Sequence, residues 1–223
     1  MTAMMYKVCE IFESINGEGE RAGEPALFIR LAGCPLRCSY CDTAYALSFD
    51  SPHTPMTAAE ITAKAVESGI RNITLTGGEP LAAQGIEELL RTLAGAGFIT
   101  EIETSGCVDV SFVDSIAPRP VLTIDYKLPS SKMESRMIGD NYRRLEPCDT
   151  VKFVAGDEED LRRALQVMRE YDLIGRCHVH ISPVWGKIDP QRIVEFMLEN
   201  RLNGVKLQLQ LHKIIWDPDK RGV

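Results

Sequence analysis

The chain has 223 residues, 44% hydrophobic and 26% charged, which is the composition of an ordinary globular protein and excludes a disordered, collagen-like or coiled-coil chain. No apolar run reaches the roughly 18 residues of a membrane span, so none is expected. The net charge of −7 lacks a basic nucleic-acid footprint, so a small-molecule substrate is expected and nucleic acid is not.

Taken in chain order, the start MTAMMYKVCEIFES has neither a charged leader nor an apolar one. No secretory signal is expected, and a cytoplasmic location follows. An extended piece covers 8–12, and strands are predicted at 26–31, 72–76, 99–104, 121–126, 151–154, 178–182 and 205–210. Helices lie between them. Thr57-Ala-Ala-Glu60 opens one with a capping box, and Gly69 stops it. The span 86–96 carries Ile86, Leu89, Leu90 and Leu93 at helical spacing. The span 157–171 opens with acids, and Asp189-Pro190 supplies a cap and first turn for a helix to about 203. This alternation predicts an α/β fold of parallel strands covered by helices, as an open barrel or a doubly wound sheet. One domain over 1–223 is expected, with 128–150 an irregular lid or insertion. Ligand sites belong at the C-terminal strand ends.

Seven cysteines, an odd number without an export signal, argue for reduced thiols rather than a disulfide framework. Three are spaced C-x3-C-x2-C, as Cys34, Cys38 and Cys41, just after a predicted strand. A tight loop of this kind turns three thiolates toward one centre. Iron–sulfur clusters normally take four thiolates, so three leave one iron open to an exogenous ligand. The alternatives are a zinc site completed by a distant residue, or chance clustering.

With Tyr40 before the third cysteine and Thr76-Gly77-Gly78-Glu79-Pro80 after the second predicted strand, the chain resembles the radical S-adenosylmethionine (SAM) superfamily. The resemblance implies a partial, trimmed (β/α)6-type barrel, a 4Fe–4S cluster and SAM as cofactors. It assigns Cys34, Cys38 and Cys41 to the cluster, and Tyr40, Gly77, Gly78 and Glu79 to the SAM side. The glycines let backbone approach the methionine moiety without a Cβ clash. Glu101 and Glu103 alternate on one strand, and Glu103, nearer its C-terminal end, is the expected SAM contact; two solvated strand acids are the alternative.

Further motifs narrow the resemblance. They are Phe12-Glu-Ser-Ile-Asn-Gly-Glu-Gly19, Pro25-Ala-Leu-Phe-Ile-Arg30, Cys41-Asp-Thr43 and the ending Leu211-His212-Lys-Ile-Ile-Trp216. Together they are similar to the 7-carboxy-7-deazaguanine synthase family over nearly the whole chain, most weakly at 128–150 and 156–175. The resemblance implies a lyase that converts 6-carboxy-5,6,7,8-tetrahydropterin to 7-carboxy-7-deazaguanine and ammonia in queuosine and 7-deazapurine biosynthesis. Hydrogen abstraction at C6, ring contraction and return of the hydrogen are implied, with SAM acting catalytically. Mg²⁺ as a further cofactor, an electron donor such as flavodoxin and a homodimer are implied as well.

The same resemblance places Ile15, Asn16, Gly17, Glu18, Arg30, Thr76 and His212 at the substrate. These belong to a substrate-binding extension at about 1–25, a cluster loop at 32–43 and a C-terminal segment at about 205–223. An arginine fork such as Arg30 matches the substrate carboxylate; a surface strand arginine is the alternative. Glu18 suits the guanidine-like edge of the pterin, against a simple turn for residues 15–19. Thr43 offers Mg²⁺ a hard oxygen, with Asp42 the alternative ligand. Asp125, Tyr126, Lys127 and His180 fall on the SAM side. Asp125 and Tyr126 stand where the family commonly has Ser-Pro, which leaves backbone contacts as the safer expectation. His212 and Gln210 are read on the last strand, sharing a face. Lys152 on an apolar strand needs a partner, either Glu103 or Glu101, for structure or catalysis. Cys9, Cys107, Cys148 and Cys177 read as apolar thiols, and His53 and His178 as incidental.

Two other functions compete. A glycyl-radical-enzyme activase shares the cysteine and glycine motifs but not Asn16-Gly-Glu-Gly19 or Cys41-Asp-Thr43. A non-enzymatic iron–sulfur or zinc protein does not need Gly77-Gly78 after a strand.

Overall fold

The computed structural model describes residues 3–218 and 220–223. Its centre is one nine-stranded sheet. The strands are β1 (Tyr6–Ile15), β2 (Pro25–Leu31), β3 (Thr54–Met56), β4 (Asn72–Gly77), β5 (Ile99–Thr104), β6 (Val121–Tyr126), β7 (Thr150–Ala155), β8 (His178–Pro183) and β9 (Val205–Leu207). Their order is β3-β1-β2-β4-β5-β6-β7-β8-β9. From β2 to β9 all neighbours are parallel, while β1 pairs antiparallel with both β2 and β3. The parallel strands agree with the sequence reading. The antiparallel edge comes from the 6–31 hairpin, of which the sequence showed the pieces 8–12 and 26–31 but not their pairing.

The helices are α1 (Ala58–Ser68), α2 (Ile86–Gly95), α3 (Gly139–Arg143), α4 (Glu158–Glu170), α5 (Pro190–Glu199) and α6 (Leu211–Ile215). Their starts follow local chemistry. Thr57 and Glu60 form the capping box of α1, and Gly69 closes it at φ 69°. Asp157 caps α4 by accepting from the Glu159 and Asp160 amides, and Asp189 caps α5 ahead of Pro190.

The two faces of the sheet differ sharply, and that difference decides the architecture. Leu27, Ile29, Leu31, Ile73, Leu75, Ile102, Leu122, Ile124, Val151, Phe153, Val179 and Ile181 alternate along the strands and are at most 2% exposed. They form one core with Ile61 of α1, Leu89, Leu90 and Leu93 of α2, Leu161 and Val167 of α4, and Ile193 and Phe196 of α5. The alternate positions are polar: Thr74, Thr76, Glu101, Glu103, Thr123, Asp125, Lys152, His180 and Ser182. A doubly wound sheet buries apolar residues on both faces. Here the apolar residues cover one face only, so the sheet curls as a partial barrel around its polar face.

Two expectations are corrected. The last strand stops at Leu207, and His212 lies in α6 with Gln210 as its cap residue, so the two do not alternate along a strand. The segment 128–150 is not a lid. Ser131, Asn141 and Tyr142 are fully buried. Ser130 N–H donates to Asp160 at 3.0 Å, and Tyr142 O–H donates to the Asp125 carbonyl at 2.8 Å.

Leu90 is fully buried where α2 meets the sheet. Leu90→Ala should cost about 2–5 kcal/mol, read as a lower urea midpoint at unchanged slope.

Candidate cluster and substrate site

The cysteine loop leaves the C-terminal end of β2 and is held by backbone. Gly33 N–H donates to Ala46 and Cys34 N–H to Leu47, at 2.8 and 2.9 Å. Cys34 is buried, and Cys38 and Cys41 are half-buried. The Leu36 amide points at the Cys34 sulfur at 3.4 Å. Arg37 donates to the carbonyls of Cys34 and Leu36 at 2.8 and 2.6 Å.

Gly78 lies directly against this loop. A Cβ there would fall 2.6 Å from the Gly33 carbonyl oxygen and 2.8 Å from the Cys34 Cβ. Only glycine permits that approach. Glu79 then locks the turn. Its buried carboxylate accepts from Leu81 N at 3.0 Å, Thr104 Oγ1 at 2.8 Å, Ser105 N at 2.7 Å and the Ser105 hydroxyl. All four lone-pair positions are taken. Glu79 is thus an anchor between β4 and β5, with no position left for a SAM contact.

Burial pushes the Cys34 thiol up to about 11, and raises Cys38 and Cys41. Left to themselves these thiols keep their protons, and only a bound cation or cluster stabilises three thiolates here. Among the described residues no three His, Cys, Asp or Glu side chains converge as one metal ion requires. Three soft thiols spread along a loop, with an amide aimed at sulfur, fit a multi-iron cluster.

The polar face of the sheet is covered at its centre by the hairpin loop from Asn16. Asn16 Oδ1 accepts from Thr74 at 2.6 Å. Glu18 meets Lys152 at 3.1 Å and accepts from Ser182 at 3.2 Å and from Gln210 at 3.4 Å. Gly19 exchanges two hydrogen bonds with Gln208, at 2.8 and 3.0 Å. The α6 segment closes over the loop, and a Cβ on Gly17 would sit 2.3 Å from His212 Nδ1. Residues 15–19 are therefore a roof over the sheet rather than a simple turn, and they bring Glu18, Gly17 and His212 together. Burial holds the His212 imidazole below its ordinary value, with Glu18 opposing.

Toward the cluster loop the charges form a chain. Lys152 lies 3.5 Å from Asp125, and Lys127 lies 2.6 Å from the other Asp125 oxygen. Burial alone would lower the Lys152 ammonium, but Asp125, Glu18 and Glu103 hold it well above its usual value. Burial also opposes ionisation of Asp125, yet Lys127 and Lys152 keep it below the usual carboxylate range. Burial raises Glu103, which takes a hydrogen bond from Thr76. Tyr40 reaches over β7 to the Val154 carbonyl at 3.3 Å. Lys152 thus binds Glu18 and Asp125 directly, where the sequence offered Glu103 or Glu101.

Arg30 donates from Nε to Glu10 at 2.8 Å, and Tyr45 O–H donates to the same Glu10 oxygen. The terminal nitrogens of Arg30 have no hydrogen-bond partner among the described residues, which leaves a two-pronged donor free. Thr43 Oγ1 donates to Asp42 at 3.0 Å, and Lys213 lies 3.3 Å from the other Asp42 oxygen. Two buried atoms on this side of the sheet lack hydrogen bonds and ion-pair partners: Asn16 Nδ2 and Glu101 Oε2. Unsatisfied groups of this kind suit a polar occupant.

Two more assignments change. His180 is buried with both ring nitrogens engaged, to Gln208 at 2.9 Å and Glu20 at 2.7 Å, so it has no nitrogen free for SAM. Tyr126 points to the apolar side, where its hydroxyl meets Glu134 and Arg163, so only its backbone faces the site. Sequence reasoning missed Glu10, Glu20 and Gln208. Glu10 orients Arg30, while Glu20 joins His180, Lys206 and, at 3.5 Å, His178. Their only signal was polarity at alternate strand positions and in the roof loop. Of the remaining thiols, Cys148 is exposed and the Cys107 sulfur lies 3.1 Å from the Ser105 hydroxyl oxygen.

A parallel half-barrel with a three-cysteine loop at its C-terminal mouth defines an iron–sulfur enzyme scaffold, and the comparisons agree. The radical SAM superfamily model matches residues 28–146, more than half of the chain. A 7-carboxy-7-deazaguanine synthase from Clostridium acetobutylicum is 48% identical over 99% of this chain and 100% of its own length. One from Chlorobaculum tepidum is 39% identical over 100% of this chain and 99% of its own. The crystal structure of QueE from Escherichia coli shares the fold, with TM-score 0.75, 22% identity and 93% and 94% coverage of the two chains. The SAM-bound structure of SuiB from Streptococcus suis matches at TM-score 0.55 and 16% identity, over 79% of this chain and 45% of that one. The chain belongs to the radical SAM superfamily and, within it, to the 7-carboxy-7-deazaguanine synthase family. Among the described residues no helix is long and apolar enough to cross a membrane.

Glu101 is buried under Gly19, accepts from Thr123 at 2.5 Å, and is raised by burial to about 7. A carboxyl whose folded value is raised contributes stability present below its unfolded value and lost as pH climbs through the folded one. Glu101→Gln should therefore gain stability relative to the parent protein as pH rises from 4.5 to about 7. Parallel denaturant titrations across that window check this, and an unchanged gap would contradict the buried-acid assignment.

Proposed function

We propose that the chain is a radical SAM lyase converting 6-carboxy-5,6,7,8-tetrahydropterin to 7-carboxy-7-deazaguanine and ammonia, in queuosine and 7-deazapurine biosynthesis. One observation carries this reading. The cluster loop, packed on Gly78, opens onto a polar chamber roofed by Glu18 and His212, with the free fork of Arg30 on its β2 wall. The relatives named synthases favour this reading over the glycyl-radical activase.

When bound, the cluster and SAM supply a carbon-centred radical that removes and returns one hydrogen. The chain's residues do the rest. Cys34, Cys38 and Cys41 would hold the cluster through their thiolates. Gly77 and Gly78 leave backbone open to the methionine end of SAM. Tyr40, Glu103, Asp125 and Lys127 line the side toward its nucleoside. Arg30 takes the substrate carboxylate through its unpartnered nitrogens, oriented by Glu10. Glu18, positioned by Lys152, accepts from the guanidine-like edge of the pterin. Asn16 offers its unbonded amide N–H, and Ile15, Gly17 and Thr76 fill the remaining contour. Neutral His212 donates or accepts at the ring, as burial favours its uncharged form. Thr43, beside Asp42, would offer one hydroxyl oxygen to Mg²⁺, a hard donor suited to that ion. The roof, cluster loop and C-terminal segment act as one domain. A homodimer, an external reductant such as flavodoxin and a cytoplasmic location complete the reading.

Anaerobically reconstituted protein with dithionite, SAM, Mg²⁺ and carboxytetrahydropterin should form the deazaguanine. Formation of 5′-deoxyadenosine without it would sink the substrate assignment. Cys38→Ala should abolish the cluster's visible absorption. Thr43→Ala should keep the cluster and lose most of the Mg²⁺ response; an unaltered response would remove Thr43 as a ligand.

A further inference from the structure

Glu18 belongs to a loop, and a loop residue recognises a substrate well only when something fixes its backbone. We propose that Gln208 is a positioning residue for the pterin: its side-chain amide clamps the Gly19 peptide and so aims Glu18 at the guanidine-like edge of the substrate. This rests on the functional reading above and adds a specificity-determining residue to the same site.

The clamp closes on both sides of one residue. Gly19 N–H donates to Gln208 Oε1 at 2.8 Å, and Gln208 Nε2 donates to the Gly19 carbonyl at 3.0 Å. A single amide thus exchanges two bonds with the backbone, as a neighbouring antiparallel strand would. The pairing also fixes which end of the side chain is oxygen, because a peptide N–H only donates and a carbonyl only accepts. His180 Nδ1 meets that same oxygen at 2.9 Å, from a ring that is buried in β8. Gln208 N–H donates to the Ile181 carbonyl at 2.9 Å, which continues the β8–β9 pairing one residue past Leu207. The clamp is therefore mounted on the sheet itself.

Residue 19 has no room to move away. Gly19 holds φ +83°, and a Cβ there would lie 2.7 Å from Glu101 Oε1, so the sheet presses against it. The acids on its two sides are then sent to different partners. Glu18 meets Lys152 at 3.1 Å and Ser182 at 3.2 Å. Glu20 meets His180 at 2.7 Å and Lys206 through both oxygens, at 2.6 and 2.8 Å. His180 and Ser182 stand two residues apart on one face of β8. Glu20 therefore lies toward the N-terminal end of the strands, and Glu18 toward the end that carries the cysteine loop. Gln208 grips the residue between the two acids and decides which of them faces that end.

The test uses reconstituted holoenzyme with dithionite, SAM and Mg²⁺, in the variants Gln208→Leu and Gln208→Glu. The leucine removes both bonds to Gly19. The glutamate keeps an acceptor for the Gly19 N–H and loses the donor to its carbonyl. In either variant kcat/KM for carboxytetrahydropterin should fall roughly tenfold, carried by KM, while 5′-deoxyadenosine formation without the pterin stays within about twofold of the parent. The parent should prefer the pterin over its analogue lacking the 2-amino group, and both variants should lose most of that preference, as Glu18→Gln should. In the double variant Glu18→Gln/Gln208→Leu the losses should not add. An unchanged preference or additive losses would overturn the proposal. So would a loss of deoxyadenosine formation in step with product, since that marks damage to the whole site. If the parent makes no product from the pterin, the functional reading fails, and deuterium uptake over residues 15–20 decides the clamp by itself: faster exchange in both variants upholds it, and unchanged exchange overturns it.

Discussion

One buried ammonium organises this molecule. Lys152 stands in mid-sheet on β7, on the face that the helices leave uncovered, and Glu18 and Asp125 approach it from opposite sides. Desolvating a lone charge costs several kcal/mol, so neither the lysine nor the acids would be tolerated separately. Together they fix the distance between the roof loop, which owns Glu18, and the cluster mouth, where Asp125 meets Lys127. The pair contributes geometry more than net stability. It holds the Glu18 side chain where the substrate's donor edge is proposed to sit.

The roof depends on that arrangement. Residues 16–20 make contacts with β4, β5, β6, β7, β8 and the strand-like residue Gln208. A hairpin loop so spread across a sheet replaces the missing barrel closure. It carries the chain from β1 back over the polar face of the sheet before β2 begins. Gly17 and Gly19 serve here as places where His212 and Glu101 press within contact distance of backbone.

Much of the site was legible because it is local. The spacing of Cys34, Cys38 and Cys41, the pair Gly77-Gly78 and the caps at Thr57, Asp157 and Asp189 all act within a few residues, where chain geometry alone constrains the outcome. The misreadings were long-range. His180 looked like a cofactor contact until Glu20, 160 residues away, was found on its nitrogen. Glu79 read as a ligand-side acid, yet its carboxylate is taken up by Leu81, Thr104 and Ser105. Tyr126 faces the wrong side because strand parity, not motif order, sets direction.

By itself the sequence determined the class of chemistry, the α/β alternation and the spacing of the three loop cysteines proposed as cluster ligands, because those follow from residue type and short-range periodicity. Tertiary structure alone decided which polar residues became recognition groups and which became scaffold. Whether Glu18, Glu20, Glu79 or Glu101 is free for a ligand depends on which donors from distant strands reach it first. That competition is settled by packing of the whole sheet, and no local spacing encodes it.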